Sequence, residues 1–188
     1  MDKNQSKKNV MSYLHDLAML LAVVLLLFFF VFRIVTVSGP SMLSTLYNGD
    51  HLIVLTQPFM GEVEAGDIII ISKADYDNGT PIVKRVIATA GQTVEIKNTR
   101  VYVDGRMLNE AYIDGQPTHG PSGDYYRVTV ADGCVFVLGD NRIVSKDSRS
   151  SQIGQIDCRQ IVGKALFRIW PGRDGIGNLD FSRIGGIY

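Results

Sequence analysis

A run of uncharged, mostly aliphatic and aromatic residues over 17–32 constrains this chain more than any other feature. A helix of that length spans about 24 Å, and adding 33–37 brings it to about 31 Å, close to the roughly 30 Å hydrocarbon core of a bilayer. The run is apolar on every face, which is not the pattern of a helix lying against a soluble core. It predicts a transmembrane anchor over 17–37, with the charged head of Arg33 reaching the outer interface.

The flanks of this run indicate whether it is retained and how it is oriented. Lys3, Lys7 and Lys8 precede it, which favours a cytoplasmic N-terminal segment over 1–16. The competing interpretation is a cleaved secretory signal, which usually has a shorter apolar run followed by a small-x-small cleavage site. The stretch 35–40, Val-Thr-Val-Ser-Gly-Pro, is a poor cleavage site, so we favour a retained anchor.

The rest of the chain, about 150 residues, is long enough for one domain with its own core. Its net charge of zero provides no electrostatic argument for a nucleic-acid partner. Short apolar stretches separated by Asn-Gly and Asp-Gly turn signals predict a mostly β domain over 38–188, a folded antiparallel sheet or partial barrel. The predicted strands are 51–55, 67–72, 81–89, 93–96, 101–103, 126–130, 135–138 and 161–170, with a loop at 116–124 and an irregular tail at 171–188.

Cysteine and histidine add little to this picture. Cys134 and Cys158 could pair, but two cysteines do not define a disulfide framework, and a buried thiol is the simpler interpretation of Cys134 in the apolar run 134–138. The three histidines are scattered and lack the spacing of metal ligands. We therefore expect no metal and no other cofactor.

Two side chains are candidates for catalysis without a histidine. Ser41 lies in a Ser-Gly-Pro-Ser turn, within about 14 Å of the end of the anchor if the chain is extended. Lys84 shares one face of its predicted strand with Ile82 and Val86. Apolar burial lowers the pKa of a lysine, and a neutral amine can activate a serine. The alternatives are an ordinary interfacial turn at Ser41 and a solvated edge-strand position for Lys84.

A third segment, 139–149, follows a predicted strand and reads Gly-Asp-Asn-Arg-Ile-Val-Ser-Lys-Asp-Ser-Arg. Such a loop is either a charged surface turn or a support that orients a reacting group. Ser145, Asp147 and Arg149 alternate along it, so a hydroxyl and a carboxylate–guanidinium pair could converge there.

Taken in order, these segments resemble the sequence boxes of bacterial type I signal peptidases, the membrane-anchored Ser-Lys peptidases that remove signal peptides. Segment 38–42 resembles the nucleophile box and 66–70 the strand box that follows it. Segment 84–88 resembles the general-base box, and 139–149 resembles the last box. The resemblance extends from the anchor to about Trp170, and the single anchor and small ectodomain resemble the compact Gram-positive form.

The resemblance implies a role for each catalytic residue. Ser41 would be the nucleophile, and its backbone N–H would donate to the oxyanion. Lys84 would be the general base. Some relatives use a serine two positions before the nucleophile as a second oxyanion donor, but this chain has Gly39 there, so a backbone group would have to serve.

The resemblance also implies supporting and substrate-binding residues. Ser145 would hold the lysine amine by a hydrogen bond, and Asp147 would support the loop through Arg149 or Arg85. The candidate substrate-binding residues are Met42, Ile82 and Val83.

Two positions depart from the family pattern. Ser44 precedes Thr45 where a proline is usual nearby, and Gln92 follows Gly91 where aspartate is common. The function implied is a membrane-anchored serine endopeptidase that cleaves N-terminal signal peptides from preproteins after small residues, with an extracytoplasmic catalytic domain. Its partners would be preproteins and the lipid bilayer. The alternative is a non-catalytic or narrow-specificity relative that assists the assembly of pili or surface proteins, and the sequence does not indicate an oligomeric state.

Overall fold

The computed structural model of the protein describes residues 3–173 and 177–187. Residues 1, 2, 174–176 and 188 belong to the predicted cytoplasmic segment and the predicted tail, and they lie outside the described residues.

The chain begins with one long helix, α1, over Lys3–Val31. Among the described residues, its Met11–Val31 portion is the one stretch long and apolar enough to cross a membrane, and it is not buried within the protein. The carbonyls of Phe30 and Val31 at the end of the helix accept hydrogen bonds from Thr56 Oγ1, each at 3.0 Å. This contact satisfies two of the carbonyls that a helix end leaves without a helical partner.

The predicted extension of the helix over 33–37 is wrong, because the chain becomes a strand at Phe32. Strand β1, Phe32–Thr36, pairs antiparallel with the next strand, from Phe32 opposite Leu55 to Thr36 opposite His51. Aromatic and β-branched residues favour extended structure, and a neighbouring strand satisfies the backbone. The anchor therefore leads into the sheet without a linker.

The strands form one large and one small antiparallel sheet. The strands after β1 are β2 His51–Thr56, β3 Ile68–Ile71, β4 Ile82–Thr89, β5 Thr93–Lys97, β6 Arg100–Val103, β7 Arg106–Met107, β8 Tyr125–Thr129, β9 Cys134–Leu138, β10 Ile156–Asp157, β11 Ile161–Trp170 and β12 Gly185–Gly186. The large sheet is a curled half-barrel of eight strands in the order β1-β2-β11-β3-β4-β9-β10, with β12 paired to β11. The small sheet has the order β7-β6-β5-β8.

Three apolar clusters form the core. Alternate residues of β3 point to opposite faces of the sheet, so Ile68 and Ile70 pack in a first cluster while Ile69 and Ile71 pack in a second. A third cluster joins the two sheets by packing residues such as Phe136 of β9 against the small sheet. The strand that carries Lys84 lies between these clusters.

The fold confirms the predicted mostly β, antiparallel architecture, and every predicted strand overlaps an observed one. The predicted irregular tail is partly wrong, because β12 pairs with β11 and Ile187 is buried in the first cluster. Cys134 and Cys158 are free thiols and are only partly buried.

Candidate active site

Ser41 and Lys84 are in direct contact. Lys84 lies on β4 opposite Ile69 of β3 and is only 3% exposed. Its Nζ donates hydrogen bonds to Ser41 Oγ at 2.7 Å and to the carbonyl of Val83 at 3.0 Å. A hydroxyl and an amine at this distance can exchange a proton directly.

Burial lowers the pKa of Lys84 from its ordinary value of 10.5 to about 8. The cause is the loss of hydration of the ammonium form, because Ile82 and Val86 on the same face of β4 belong to the second cluster or pack against it. The carboxylates of Asp147 and Asp140 oppose this shift by stabilising the ammonium. At pH 7 about a tenth of the amine is therefore neutral, far more than for a lysine with an ordinary pKa.

Ser41 lies on a tight turn, residues 40–46, which packs against the core. Within this turn Leu43 N–H donates to the carbonyl of Pro40 at 3.2 Å, and Leu46 N–H donates to that of Met42 at 2.8 Å. Met42 and Leu46 are fully buried in the first cluster. Their packing presents Ser41 at the surface while the turn itself is anchored in the core.

The backbone N–H of Ser41 is a free donor beside the hydroxyl. Ser41 N–H has no acceptor within the described ranges, so it is available to an oxyanion. Gly39 N–H already donates to Asn48 Oδ1 at 3.0 Å. The expectation that Gly39 could supply a second donor is therefore not met in this conformation.

Loop 139–149 lies against the turn that carries Ser41. Asn141 N–H donates to the carbonyl of Ser41 at 3.0 Å, and Asn141 Nδ2 donates to that of Pro40 at 3.2 Å. Asp147 supports the loop by accepting from Gly139 N–H at 3.0 Å and from Arg149 Nε at 2.8 Å. Of the two partners considered for Asp147, the structure places Arg149 beside it.

The predicted hydrogen bond between Ser145 and the lysine amine is not formed. Ser145 Oγ is buried and has no hydrogen-bond partner in the described part of the chain. Gly139 packs closely against it, since a Cβ on that glycine would lie 2.2 Å from Ser145 Oγ. Lys84 Nζ donates instead to Ser41 Oγ and to the carbonyl of Val83.

Arg85 belongs to a cluster that the sequence did not reveal. It is 2% exposed and pairs with Asp140 through Nε at 2.9 Å and Nη2 at 2.7 Å. Thr45 Oγ1 donates to the same carboxylate at 2.5 Å. The cluster thus joins strand β4, loop 139–149 and the turn that carries Ser41. An arginine inside an apolar strand indicates a buried acidic partner, but the sequence offers several acids and no way to choose.

The three predicted substrate-binding residues do not lie together. Met42 and Val83 share the first cluster, with Met42 fully buried beneath the turn. Ile82 packs against the second cluster, on the other face of β4. Met42 and Val83 therefore share one cluster, while Ile82 lies on the face of β4 that carries Lys84.

The described residues contain no group of three or more histidine, cysteine, aspartate or glutamate side chains that could hold a metal ion. The site as it stands is composed of a serine, a lysine and their hydrogen-bonding supports.

Comparison with known proteins identifies the family. A model of the family described as signal peptidase, peptidase S26, matches residues 10–170. The chain belongs to this family. This S26 membership confirms both the predicted resemblance and the predicted enzyme class, a serine protease.

Relatives of this signal peptidase family cover most of the chain. The signal peptidase I of Bacillus amyloliquefaciens is 38% identical over 164 residues, which cover 81% of each chain. A probable signal peptidase I-1 of Synechocystis is 41% identical over 158 residues, covering 80% of this chain and 78% of that protein. A crystal structure of a signal peptidase I from Enterococcus faecalis matches with a TM-score of 0.47 at 27% identity, covering 56% of this chain and 97% of that one.

Proposed function

We propose that this S26 peptidase is a membrane-anchored serine endopeptidase that uses Ser41 as nucleophile and Lys84 as general base to cleave signal peptides from preproteins. The observation that carries the proposal is the 2.7 Å contact between Ser41 Oγ and Lys84 Nζ, with the amine almost completely buried. A buried amine with a lowered pKa and a hydroxyl as its partner is the arrangement that Ser-Lys chemistry requires.

The first step forms an acyl-enzyme. Neutral Lys84 accepts the proton of Ser41 as its Oγ bonds to the carbonyl carbon of the scissile peptide. The free Ser41 N–H donates to the oxygen that becomes negative, an interaction that stabilises the transition state more than the ground state. The Lys84 ammonium then gives its proton to the leaving nitrogen, the C–N bond breaks, and the mature protein departs with a free amine.

The second step regenerates the enzyme. Water loses a proton to neutral Lys84 and attacks the ester carbonyl of acylated Ser41. The ester bond breaks, the signal peptide leaves as a carboxylic acid, and Ser41 recovers its proton from the lysine. Asp147 and Asp140 stabilise the ammonium that forms in each step, which keeps the amine basic enough to accept the proton.

A free sheet edge supports recognition of an extended substrate. Strand β1 is the edge of the large sheet, and its second side is unpaired among the described residues. A signal peptide could add there as a further strand, with alternate side chains facing the protein. Val83 would border the pocket nearest the cut, with the buried Met42 packed behind it in the same cluster, and their bulk would limit the pocket to small side chains such as alanine.

The anchor supports action at the membrane surface. Helix α1 passes directly into β1, which holds the sheet next to the bilayer. The lysines at 3, 7 and 8 favour a cytoplasmic N-terminus and an extracytoplasmic catalytic domain. Holding enzyme and preprotein in one membrane raises their effective concentration.

The test is cleavage of a preprotein by the full chain in detergent micelles, compared with the Ser41→Ala and Lys84→Met variants. We expect the wild type to produce mature protein and each variant to lose at least about 100-fold in kcat/KM, the usual size of a general-base contribution. Mass spectrometry of the product should locate the cut after a small residue that has another small residue two positions before it.

Three results would count against this proposal. Unchanged cleavage by folded Ser41→Ala excludes Ser41 as the nucleophile, and unchanged cleavage by folded Lys84→Met excludes the dyad. A wild-type chain that binds preproteins in vesicles without processing any of them supports the non-catalytic alternative. Circular dichroism of each variant shows that it has kept the wild-type fold.

A further inference from the structure

Segment 110–118, here called the strap, connects β7 to β8 of the small sheet but contacts all three elements of the active site. These elements are the turn over residues 40–46 that carries Ser41, here called the nucleophile turn, the strand β4 that carries Lys84, here called the base strand, and loop 139–149. None of the strap residues was a candidate from the sequence. The contact with the nucleophile turn uses a side chain that takes no part in the other two, so it can be removed without disturbing them.

At both ends, the strap holds loop 139–149 through Arg142. The guanidinium of Arg142 donates to Glu110 Oε1 at 2.5 Å and to Thr118 Oγ1 at 2.7 Å. The backbone N–H of Arg142 donates to Gln116 Oε1 at 3.1 Å. Since the Arg142 side chain is fully buried, these bonds fix the loop whose neighbouring Asn141 contacts Ser41.

In its first half, the strap covers the base strand. The ring of Tyr112 lies 4.1 Å from the guanidinium of Arg85, the residue that follows Lys84. The Tyr112 hydroxyl donates to Glu110 Oε1 at 3.2 Å, which joins this contact to the one at Arg142. Stacking of a guanidinium on an aromatic ring is favourable and restricts both groups.

At its centre, the strap reaches the nucleophile turn. Ser44, three residues after Ser41, donates through Oγ to Asp114 Oδ2 at 2.5 Å. Ile113, the residue before Asp114, is 2% exposed, so the backbone that carries the Asp114 carboxylate is anchored in the core. A hydrogen bond to a charged acceptor is stronger than one between neutral groups.

We propose that Asp114 is a positioning residue for the nucleophile, acting through Ser44, and that the strap is the device by which the small sheet aligns Ser41 with Lys84. The inference rests on the proposed function. The strap fixes the base strand through Tyr112 and the loop through Arg142, and the Ser44–Asp114 bond is its hydrogen bond to the nucleophile turn. Without that bond, the strap no longer contacts the nucleophile turn, which keeps its own packing, the Thr45–Asp140 bond and the hydrogen bonds from Asn141.

The experiment is a double-mutant cycle of Ser44→Ala and Asp114→Ala in the full chain in detergent, with kcat and KM measured on one peptide substrate. Each single variant should lose about fivefold in kcat, because a small displacement of a nucleophile is costly, while KM stays unchanged. The double variant should lose no more than either single one. Asp114→Asn and Ser44→Thr keep an acceptor and a donor, so they should recover most of the rate.

Ser182→Ala is a matched control. Ser182 Oγ donates to Asp180 Oδ1 at 2.6 Å in an exposed loop, so this variant removes the same type of bond outside the strap. Its kcat should equal that of the wild type. Thermal unfolding of all variants separates a loss of alignment from a loss of fold.

Three outcomes would overturn the inference. Unchanged kcat in both single variants means that the bond does not position Ser41, and losses that multiply in the double variant mean that the two residues act separately. A rise in KM with unchanged kcat assigns them to substrate contact. If the proposed roles of Ser41 and Lys84 are wrong, the Ser41→Ala variant will retain activity. That variant is not part of this cycle, so the two failures can be told apart.

Discussion

The strands around Lys84 are buried on both faces, whereas those of the small sheet are more exposed on one face than on the other. All four residues of β3 and the six central residues of β4 are buried, but every second residue of β8 is exposed. The charges differ in the same way. Arg85 and Asp140 are almost completely buried, while Arg127 of the small sheet is 61% exposed where it pairs with Glu95.

Water is excluded from the large sheet around β4, and this exclusion has two consequences. Removal of water around β4 lowers the pKa of Lys84, and it also requires that Arg85 find a close partner. Charged side chains on the surface of the small sheet do not need a close partner, because water can solvate either member of an exposed ion pair. Its contribution to the active site comes through the strap rather than through its strands.

The largest expected effect is on the pH dependence of cleavage. In the proposed mechanism Lys84 acts as a base only when neutral, and its pKa is about 8. We therefore expect kcat/KM to fall about tenfold for each pH unit below pH 7 and to level off above pH 9. Rates on a peptide substrate between pH 6 and pH 10 measure this, with circular dichroism as the check on folding. A flat profile would mean that the buried sheet does not tune this amine.

The next effect is on stability at the buried ion pair. Asp140→Ala leaves the Arg85 guanidinium buried without its carboxylate and should lower the free energy of unfolding by about 3–5 kcal/mol. Urea unfolding at pH 7 measures the change. Asp140→Asn, which keeps an acceptor for Thr45 and Arg85, should be milder. If the wild type, Asp140→Ala and Asp140→Asn have equal free energies of unfolding, the buried ion pair of the large sheet matters no more than an exposed pair of the small sheet.

Lys84→Met should stabilise the fold while abolishing activity. In the unfolded chain the lysine pKa is near its ordinary 10.5, and in the folded protein it is about 8, so between these values the unfolded state binds more protons. Stability of the wild type therefore rises with pH across this window, and the full cost of the buried amine is present below it. Methionine should gain up to about 3 kcal/mol at pH 7 and progressively less towards pH 10.5, as measured by urea unfolding.

The smallest effect is expected in the small sheet. Arg127→Ala removes an exposed ion pair with Glu95 at 3.5 Å and should change the free energy of unfolding by less than about 0.5 kcal/mol. Its kcat should match that of the wild type. A loss comparable to that of Asp140→Ala would show that exposed pairs in this sheet are as indispensable as the buried one.

Much of the fold could be predicted because its signals are local. The apolar run predicted the helix, and turn residues between apolar stretches predicted the strands, since both patterns are read within a few residues. The end of the helix was missed because Phe32–Thr36 is apolar enough for either structure, and pairing with β2 makes it a strand. Family resemblance located Ser41 and Lys84, although pattern alone left both open.

The sequence by itself determined the long apolar helix at the N-terminus, the β-rich character of the domain and the identity of the candidate dyad. Tertiary structure decided which acid pairs with Arg85, which donors remain free at Ser41, and that Ser145 does not contact the lysine amine. It also decided that the strap crosses the active site. The physical reason is that hydrogen bonds and desolvation depend on groups far apart along the chain, such as Ser44 and Asp114, which come together only when the core has packed.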